Sequence, residues 1–173
     1  MLSLDDSGAL QRQVGGDVVE HSMSGHSDVV RPATASDAEV IAAVWLRSRR
    51  ASAPSIPEPV HSDEEVRRWV SDVLLPSGGT WVVENEIGVI AMMNVRGGWI
   101  DQLYVDPVQF GQGTGTKLLG QAKKLYPGGL DLWTFQSNVR ARRFYEAHGF
   151  LPVEETQGDN EEGAPDVRYH WDS

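Results

Sequence analysis

The most informative stretch of the sequence is Leu103-Tyr104-Val105-Asp106-Pro107-Val108-Gln109-Phe110-Gly111-Gln112-Gly113-Thr114-Gly115. A strand pattern, Trp99–Val105, leads into it, and a helical pattern ending near Leu125 follows it. Glycine at alternate positions is the ordinary means of making a tight turn with positive φ. Directly before a helix, such a turn also presents free backbone N–H groups and the positive end of the helix dipole. The stretch therefore predicts an anion-binding loop, with a plain tight turn as the alternative.

Helical and strand patterns alternate around this stretch from residue 29 onward. The predicted strands are Val29–Arg31, Trp81–Glu84, Ile87–Val95, Trp99–Val105, Leu130–Phe135, Leu151–Glu155 and Val167–Trp171. Two predicted helices begin at the capping boxes Ser36–Glu39 and Ser62–Glu65, a third follows the glycine turn, and a fourth spans Val139–His148. Three strands in succession joined by short turns are typical of an antiparallel meander. The element order indicates an α+β domain without internal repeats.

The composition excludes several classes of function. None of the 173 residues is cysteine, which excludes disulfides, cysteine-ligated zinc and a cysteine nucleophile. The five histidines show no metal-ligand spacing, so we expect no metal site. A net charge of −10 argues against nucleic-acid binding. Neither a membrane-spanning apolar run nor a secretory signal is found, so we expect a cytoplasmic protein without a membrane partner.

Charge is distributed unevenly along the chain. Residues 1–28 contain five acidic residues against Arg12 and no apolar periodicity, so we predict a disordered tail over 1–27 and a single domain over 28–173. Residues 109–148 contain six basic residues against Asp131 and Glu146. The glycine-rich stretch therefore lies in the basic part of an otherwise acidic chain.

Two common phosphate-binding motifs do not match the glycine-rich stretch. The dinucleotide fingerprint G-x-G-x-x-G fails because its sixth position, counted from Gly111, is Thr116. The Walker A motif fails because Thr116-Lys117-Leu118 stands where Gly-Lys-Ser/Thr is required. The phosphate-bearing ligand is therefore of another kind.

Two motifs resemble the GNAT superfamily of acetyl-CoA-dependent N-acetyltransferases. Phe110-Gly111-Gln112-Gly113-Thr114-Gly115 is similar to its pyrophosphate motif, [Q/R]-x-x-G-x-[G/A]. Further on, the second motif, N-x-x-A-x-x-[F/L]-Y-x-x-x-G-F, resembles Asn138-Val139-Arg140-Ala141-Arg142-Arg143-Phe144-Tyr145-Glu146-Ala147-His148-Gly149-Phe150. The resemblance covers residues 29–173. It implies a GNAT-like fold, with a twisted, mixed, mostly antiparallel sheet of about seven strands and about four helices, and acetyl-CoA as cosubstrate.

The resemblance also implies which residues bind acetyl-CoA. The loop would hold the pyrophosphate, and the pantetheine arm would lie as a pseudo-strand in a splay between Trp99–Val105 and Leu130–Phe135. The implied cofactor-binding residues are Leu103, Tyr104, Val105, Phe110, Gly111, Gln112, Gly113, Thr114, Gly115, Thr116 and Asn138. Phe110 departs from the family, since a Gln or Arg usually opens the motif. Arg142 or Arg143 could contact a phosphate, the alternative being a solvated helix face.

Tyr145 is the candidate general acid. It lies seven residues after Asn138, so both side chains share one face of the last helix. In isolation Asn138 would be a helix N-cap and Tyr145 a core aromatic. The resemblance implies instead that Tyr145 protonates the departing CoA thiolate and that Asn138 contacts pantetheine or water. A phenol is protonated at neutral pH and can make that donation.

Asp101 is the candidate general base. In a regular strand it shares a face with Trp99 and Leu103, which would place a carboxylate in an apolar row. A carboxylate on a buried face requires a partner or a function. We expect Asp101 to accept the proton of the attacking amine, directly or through water, the alternative being a structural hydrogen-bond acceptor.

The sequence says least about the amine that accepts the acetyl group. Acidity outside residues 109–148 would favour a cationic amine, small molecule or peptide N-terminus, although acidity could equally serve solubility alone. By the resemblance, the proline-rich link with Ile56 and His61 would line a small acceptor pocket. Attack would be direct, and a homodimer is compatible with the sequence. The alternative function is a non-catalytic acyl-CoA-binding sensor or partner-binding module.

Overall fold

The computed structural model describes residues 28–173, so the predicted tail lies outside the described residues. Its strands are β1 (Val29–Pro32), β2 (Thr80–Asn85), β3 (Gly88–Arg96), β4 (Trp99–Val105), β5 (Leu130–Phe135), β6 (Leu151–Thr156) and β7 (Asp166–Trp171). Its helices are α1 (Ala38–Ala51), α2 (Asp63–Trp69), α3 (Thr114–Leu125) and α4 (Val139–Ala147). The π-helical segment Val70–Leu74 continues α2. The predicted element order and the α+β class are confirmed.

All strands of the described chain join one sheet in the order β1-β2-β3-β4-β5-β7-β6. Only the central pair, β4 and β5, runs parallel; every other neighbouring pair is antiparallel. The meander β2–β3–β4 was expected from its short turns. The parallel pair follows from α3, because a crossover helix is needed to return the chain in the same direction.

The two faces of the sheet bury different apolar sets. On one face, α1 and the α2 region pack Ile41, Val44 and Val70 against Val82 and Met92. On the other, α3 and α4 cover a larger set that includes Leu118, Leu119, Leu132, Tyr145 and Phe150. The apolar residues of α1 and α3 recur at helical spacing, which places them on the face toward the sheet.

The start of α1 differs from the expectation. The capping box expected at Ser36–Glu39 is wrong, because the box lies two residues earlier, at Thr34 and Asp37, ahead of a 3-10 turn. The Asp37 carboxylate accepts from the Thr34 backbone N–H at 2.7 Å and from two guanidinium nitrogens of Arg31 at 2.8 and 2.9 Å. The guanidinium of Arg31, six residues earlier on β1, thus favours Asp37 as the capping carboxylate. The box at Ser62 and Glu65 is confirmed.

A β-bulge and a splay shape the middle of the sheet. Asn94 pairs with Gln102 and Val95 with Ile100, which leaves Asp101 as the extra residue of β4. On its other side, β4 pairs with β5 only at Trp99–Asp131 and Ile100–Leu132. Beyond Ile100 the two parallel strands therefore separate, and the backbone of β4 that faces β5 has no strand partner. Bulges bend and twist a strand, which accounts for the separation beginning at this point.

No helix within residues 28–173 is both long and apolar enough to cross a lipid bilayer. In the same part of the chain, no three His, Asp or Glu side chains gather closely enough to hold a metal ion.

Candidate active site

A cavity of about 510 Å³ occupies the splay between β4 and β5. Its walls are the end of α1, the second half of β4, the glycine-rich loop, β5 and the first turns of α4. The structure brings nearly all residues predicted from the two motifs to this cavity. The lining residues from that set are Asp101, Leu103, Tyr104, Val105, Phe110, Gly111, Gly113, Thr114, Gly115, Thr116, Asn138 and Tyr145. Gln112 is the exception: its exposed side chain donates to the Val108 carbonyl at 2.9 Å.

The glycine-rich loop presents unpaired backbone donors to the cavity. Gly113 precedes α3 with φ of 81°, a left-handed conformation that favours glycine. Lys117 N–H makes the first bond of the helix, to the Gly113 carbonyl at 3.2 Å. The N–H groups of the three preceding residues, Thr114–Thr116, therefore have no helical acceptor and add to the positive end of the helix dipole. The loop has the geometry of an anion site.

Gly113 and Gly115, the two later glycines of the loop, have different surroundings. A Cβ built on Gly113 meets no atom within 4 Å, so the space beside it is open to a ligand. A Cβ on Gly115 would come within 3.2 Å of the Phe144 ring. Gly115 also lines the cavity, and its missing side chain lets α3 pack against Phe144 of α4.

Tyr145 faces the cavity from α4 and is 7% exposed. The rings of Phe144, Phe150 and Tyr169 surround it at centroid distances of 5.2, 5.6 and 6.3 Å. Burial raises the pKa of the Tyr145 hydroxyl above its ordinary value, and the nearby Tyr104 adds to that rise. Among residues 28–173 this hydroxyl has no hydrogen-bond partner. It is held protonated and is free to donate to a molecule in the cavity.

Asn138 caps α4 and also lines the cavity. Its Oδ1 accepts from the Ala141 backbone N–H at 3.1 Å, so the N-cap role is confirmed. Only the side-chain oxygen is used in this way. The Asn138 amide nitrogen has no partner among the described residues.

Asp101 lines the cavity at its rim, but it is not the buried carboxylate that strict alternation predicted. Its side chain is 44% exposed and lies 3.6 Å from the guanidinium of Arg96. The expectation failed because the bulge interrupts the period of two: Ile100, not Asp101, joins Leu103 in the core beneath α3. Asp101 therefore needs no buried partner, and it is open to water as well as to the cavity.

The end of the cavity at which the acceptor was expected is formed by the end of α1 and the proline-rich link. Ile56 lines it as expected, together with Ser48, Arg49 and Ser52. His61 does not line the cavity; it is exposed, with Nε2 3.3 Å from Glu161. Sequence reasoning missed Arg49, which is 6% exposed. No sequence signal marks its ion pair, because its partner Glu162 lies 113 residues away at 2.9 Å.

The basic residues near the loop are also arranged differently from the expectation. Arg142 donates to the Tyr169 hydroxyl at 3.1 Å and to the Gln136 carbonyl, and neither it nor the exposed Arg143 lines the cavity. Arg140, the second residue of α4, does line it. The packing of α4 against α3 determines which of these arginines faces the cavity. The second motif leaves these positions variable, so it does not predict which arginine that is.

Comparisons with known proteins show what this chain is similar to. The acetyltransferase (GNAT) family model matches residues 42–150. The peptidyl-lysine N-acetyltransferase YjaB of Salmonella typhimurium is 30% identical over 132 residues, covering 76% of this chain and 88% of that protein. The apo solution structure of YjaB from Escherichia coli has a TM-score of 0.70 at 24% identity, covering 84% of this chain and 97% of that one. YncA from Salmonella typhimurium, solved with its cofactor acetyl-CoA, has a TM-score of 0.63 at 18% identity, covering 84% and 94%.

The fold and the cavity define an acetyl-CoA-dependent acyltransferase. The chain belongs to the GNAT family of acetyltransferases. The resemblance, the GNAT-like fold and acetyl-CoA as cosubstrate are thereby confirmed. The residues present fit the cosubstrate, because the loop offers free N–H groups beside the open space at Gly113 and β4 offers unpaired backbone in the splay.

Proposed function

We propose that this protein transfers the acetyl group of acetyl-CoA directly to a primary amine, with Tyr145 as general acid and Asp101 as general base. The observation that carries the proposal is the Tyr145 hydroxyl, which is protonated, without a partner among the described residues, and faces the same cavity as the splayed β4. A hydroxyl at that place can bind the thioester and can also donate its proton to a leaving thiolate. The unpaired donor favours an enzyme.

The chemistry follows from the lining groups. Unpaired backbone N–H groups of β4, along Leu103–Val105, polarise the thioester carbonyl and stabilise the negative charge that develops on its oxygen. The amine attacks the carbonyl carbon, and the C–S bond breaks as the Tyr145 hydroxyl donates its proton to the leaving sulfur. The proton lost by the amine passes to Asp101, directly or through water. Since the chain has no cysteine, no acetyl-cysteine intermediate can form.

The cofactor side of the proposal keeps the predicted residues that line the cavity. The N–H groups of Thr114–Thr116 hold the pyrophosphate, with Gly111 and Gly113 giving the loop its shape. Leu103–Val105 bind the pantetheine arm through their backbone, as a strand would. The Asn138 amide nitrogen contacts the same arm. Gln112 takes part only through its place in the loop, because its side chain is bonded elsewhere.

For the acceptor, we propose a cationic molecule that carries its primary amine on a small molecule or a peptide. The net charge of −10 attracts such a molecule at long range. At the acceptor end, the buried Arg49 is neutralised by Glu162, and Asp101 lies exposed at the rim with the Arg96 guanidinium 3.6 Å away. The YjaB relative is named for peptidyl-lysine, which is itself a cationic primary amine. A cytoplasmic location and a homodimer stay predictions from the sequence.

A panel of amines tests the proposal. Thiol released from acetyl-CoA is measured with a polyamine, a lysine-containing peptide, a free peptide N-terminus and a neutral amine of matched size. We expect the cationic amines to cause thiol release, and we expect mass spectrometry to detect the acetylated amine. If no amine raises thiol release above hydrolysis, the proposed function is wrong. If the neutral amine matches the cationic ones, only the charge preference is wrong.

A further inference from the structure

One basic side chain near the glycine-rich loop faces the cavity. Residues 109–148 contain six basic residues, and of these Arg140 alone lines the cavity. Three of the others are held elsewhere: Lys117 by Asp28 at 2.7 Å, Lys123 by the His148 carbonyl, and Arg142 by the Tyr169 hydroxyl. Lys124 and Arg143 are exposed, as Arg140 is, but unlike Arg140 they do not line the cavity. The local excess of positive charge reaches the cavity through Arg140.

Arg140 is supported by an aromatic ring rather than by a carboxylate. Its guanidinium carbon lies 3.5 Å from the centroid of the Phe110 ring. No carboxylate of residues 28–173 is within ion-pair distance of it, whereas Arg49, the other cation lining the cavity, is bound by Glu162 at 2.9 Å. Much of the Arg140 side chain is exposed, but partial burial against the cavity wall lowers its pKa, and no carboxylate of the described residues offsets that effect. An anion in the cavity would supply that compensation.

Phe110 explains why the guanidinium is placed there. Phe110 occupies the motif position at which the resemblance calls for a Gln or Arg. The face of its ring attracts a guanidinium but uses none of its N–H donors, so the planar fork stays available for an anion. Arginine is the side chain best suited to bind phosphate with two parallel hydrogen bonds. The free N–H groups at the start of α3 line the same cavity and attract the same kind of ligand.

We infer that Arg140, held on the Phe110 ring, binds a phosphate group of CoA and replaces the polar side chain that the pyrophosphate motif lacks in this chain. Phe110 is then a positioning residue, and Arg140 supplies the contact. The inference concerns CoA binding alone. It needs no acceptor amine, so its test is independent of the proposed amine transfer.

Calorimetric titration of CoA into the full chain tests the inference. Arg140→Gln removes one charged donor pair and should weaken CoA binding at least about tenfold, because a charged hydrogen bond contributes about 1.5 to 3 kcal/mol. The matched control is Arg143→Gln, the same change one turn away on the exposed face of α4, which should alter the affinity by less than about twofold. Arg140→Lys keeps the charge but loses the fork and should lie between the two.

Two further measurements separate the contribution of the Phe110 ring from that of Arg140 and identify the phosphate that Arg140 binds. Phe110→Leu removes the ring and should weaken CoA binding about two- to fivefold, since a cation–π contact contributes about 0.5 to 1 kcal/mol. CoA lacking its 3′-phosphate identifies the bound group: the Arg140→Gln penalty disappears if that phosphate is the partner and persists if the pyrophosphate is. Either result supports phosphate binding. Equal affinities of folded Arg140→Gln and Arg143→Gln for intact CoA would overturn the inference, as would an Arg140→Lys affinity below that of Arg140→Gln.

Discussion

Replacing Gly113 with valine should abolish CoA binding. Gly113 has φ of 81° and ψ of 0°, and a side chain in that conformation costs about 1 to 2 kcal/mol of stability, more when it is β-branched. The Cβ would also enter the open space in which the pyrophosphate is expected. If the phosphate loses two of the three N–H groups at the start of α3, binding weakens by about 3 to 6 kcal/mol, which is a factor of at least about 10².

Gly120→Ala is the matched control for this prediction. Gly120 lies in the middle of the same helix, without positive φ and with no atom within 4 Å of an added Cβ. Alanine there should raise the stability by about 0.5 to 1 kcal/mol and leave CoA affinity unchanged. Calorimetric titration of CoA and thermal melts of both variants provide the test. A folded Gly113→Val variant whose CoA affinity stays within about twofold of the wild type would refute the placement of the pyrophosphate.

Two further predictions concern charged groups. Asp101→Asn should slow acetyl transfer most at neutral pH and recover as the pH approaches the pKa of the acceptor, about 10.4 for a lysine-like amine, because the free amine needs no base; a wild-type rate at about pH 7 would remove the base role. Asp37→Asn should cost about 2 kcal/mol of stability at about pH 7, because the Arg31 guanidinium lowers the pKa of Asp37 from 3.8 to about 2. This stabilisation is present above the unfolded-state pKa and is lost as the pH falls toward about 2. Urea unfolding should therefore show the gap between wild type and variant closing there, and a constant gap would contradict the assignment.

The motifs predicted the site because they lie where local geometry and function coincide. Gly113 must adopt a positive φ at the start of a helix, and Asn138 and Tyr145 must share one helix face. Both requirements are local, so the sequence alone predicts them. The α+β element order follows from hydrophobic periodicity in the same way. The splay between β4 and β5 was expected from the family resemblance that these motifs carry.

What the sequence did not predict depends on side-chain and strand-pairing contacts that no local pattern encodes. The bulge at Asp101 arises from the pairing of β3 with β4, and one extra residue moved its side chain out of the apolar row. The cap at Asp37 depends on Arg31 and the buried charge of Arg49 on Glu162. Likewise, Arg140 rather than Arg142 or Arg143 faces the cavity because α4 packs on α3 through Phe144 and Gly115.

Steady-state kinetics of Tyr145→Phe test the central claim most directly, that this cavity transfers acetyl groups with Tyr145 as proton donor. The change keeps the ring and removes only the hydroxyl. We predict a fall in kcat of about 10²-fold with little change in CoA affinity, the low end for a general acid because a raised pKa weakens proton donation. Tyr126→Phe, which removes a hydroxyl that accepts from Gly97 N–H outside the cavity, should leave kcat unchanged. A folded Tyr145→Phe enzyme that releases CoA at the wild-type rate would contradict the account.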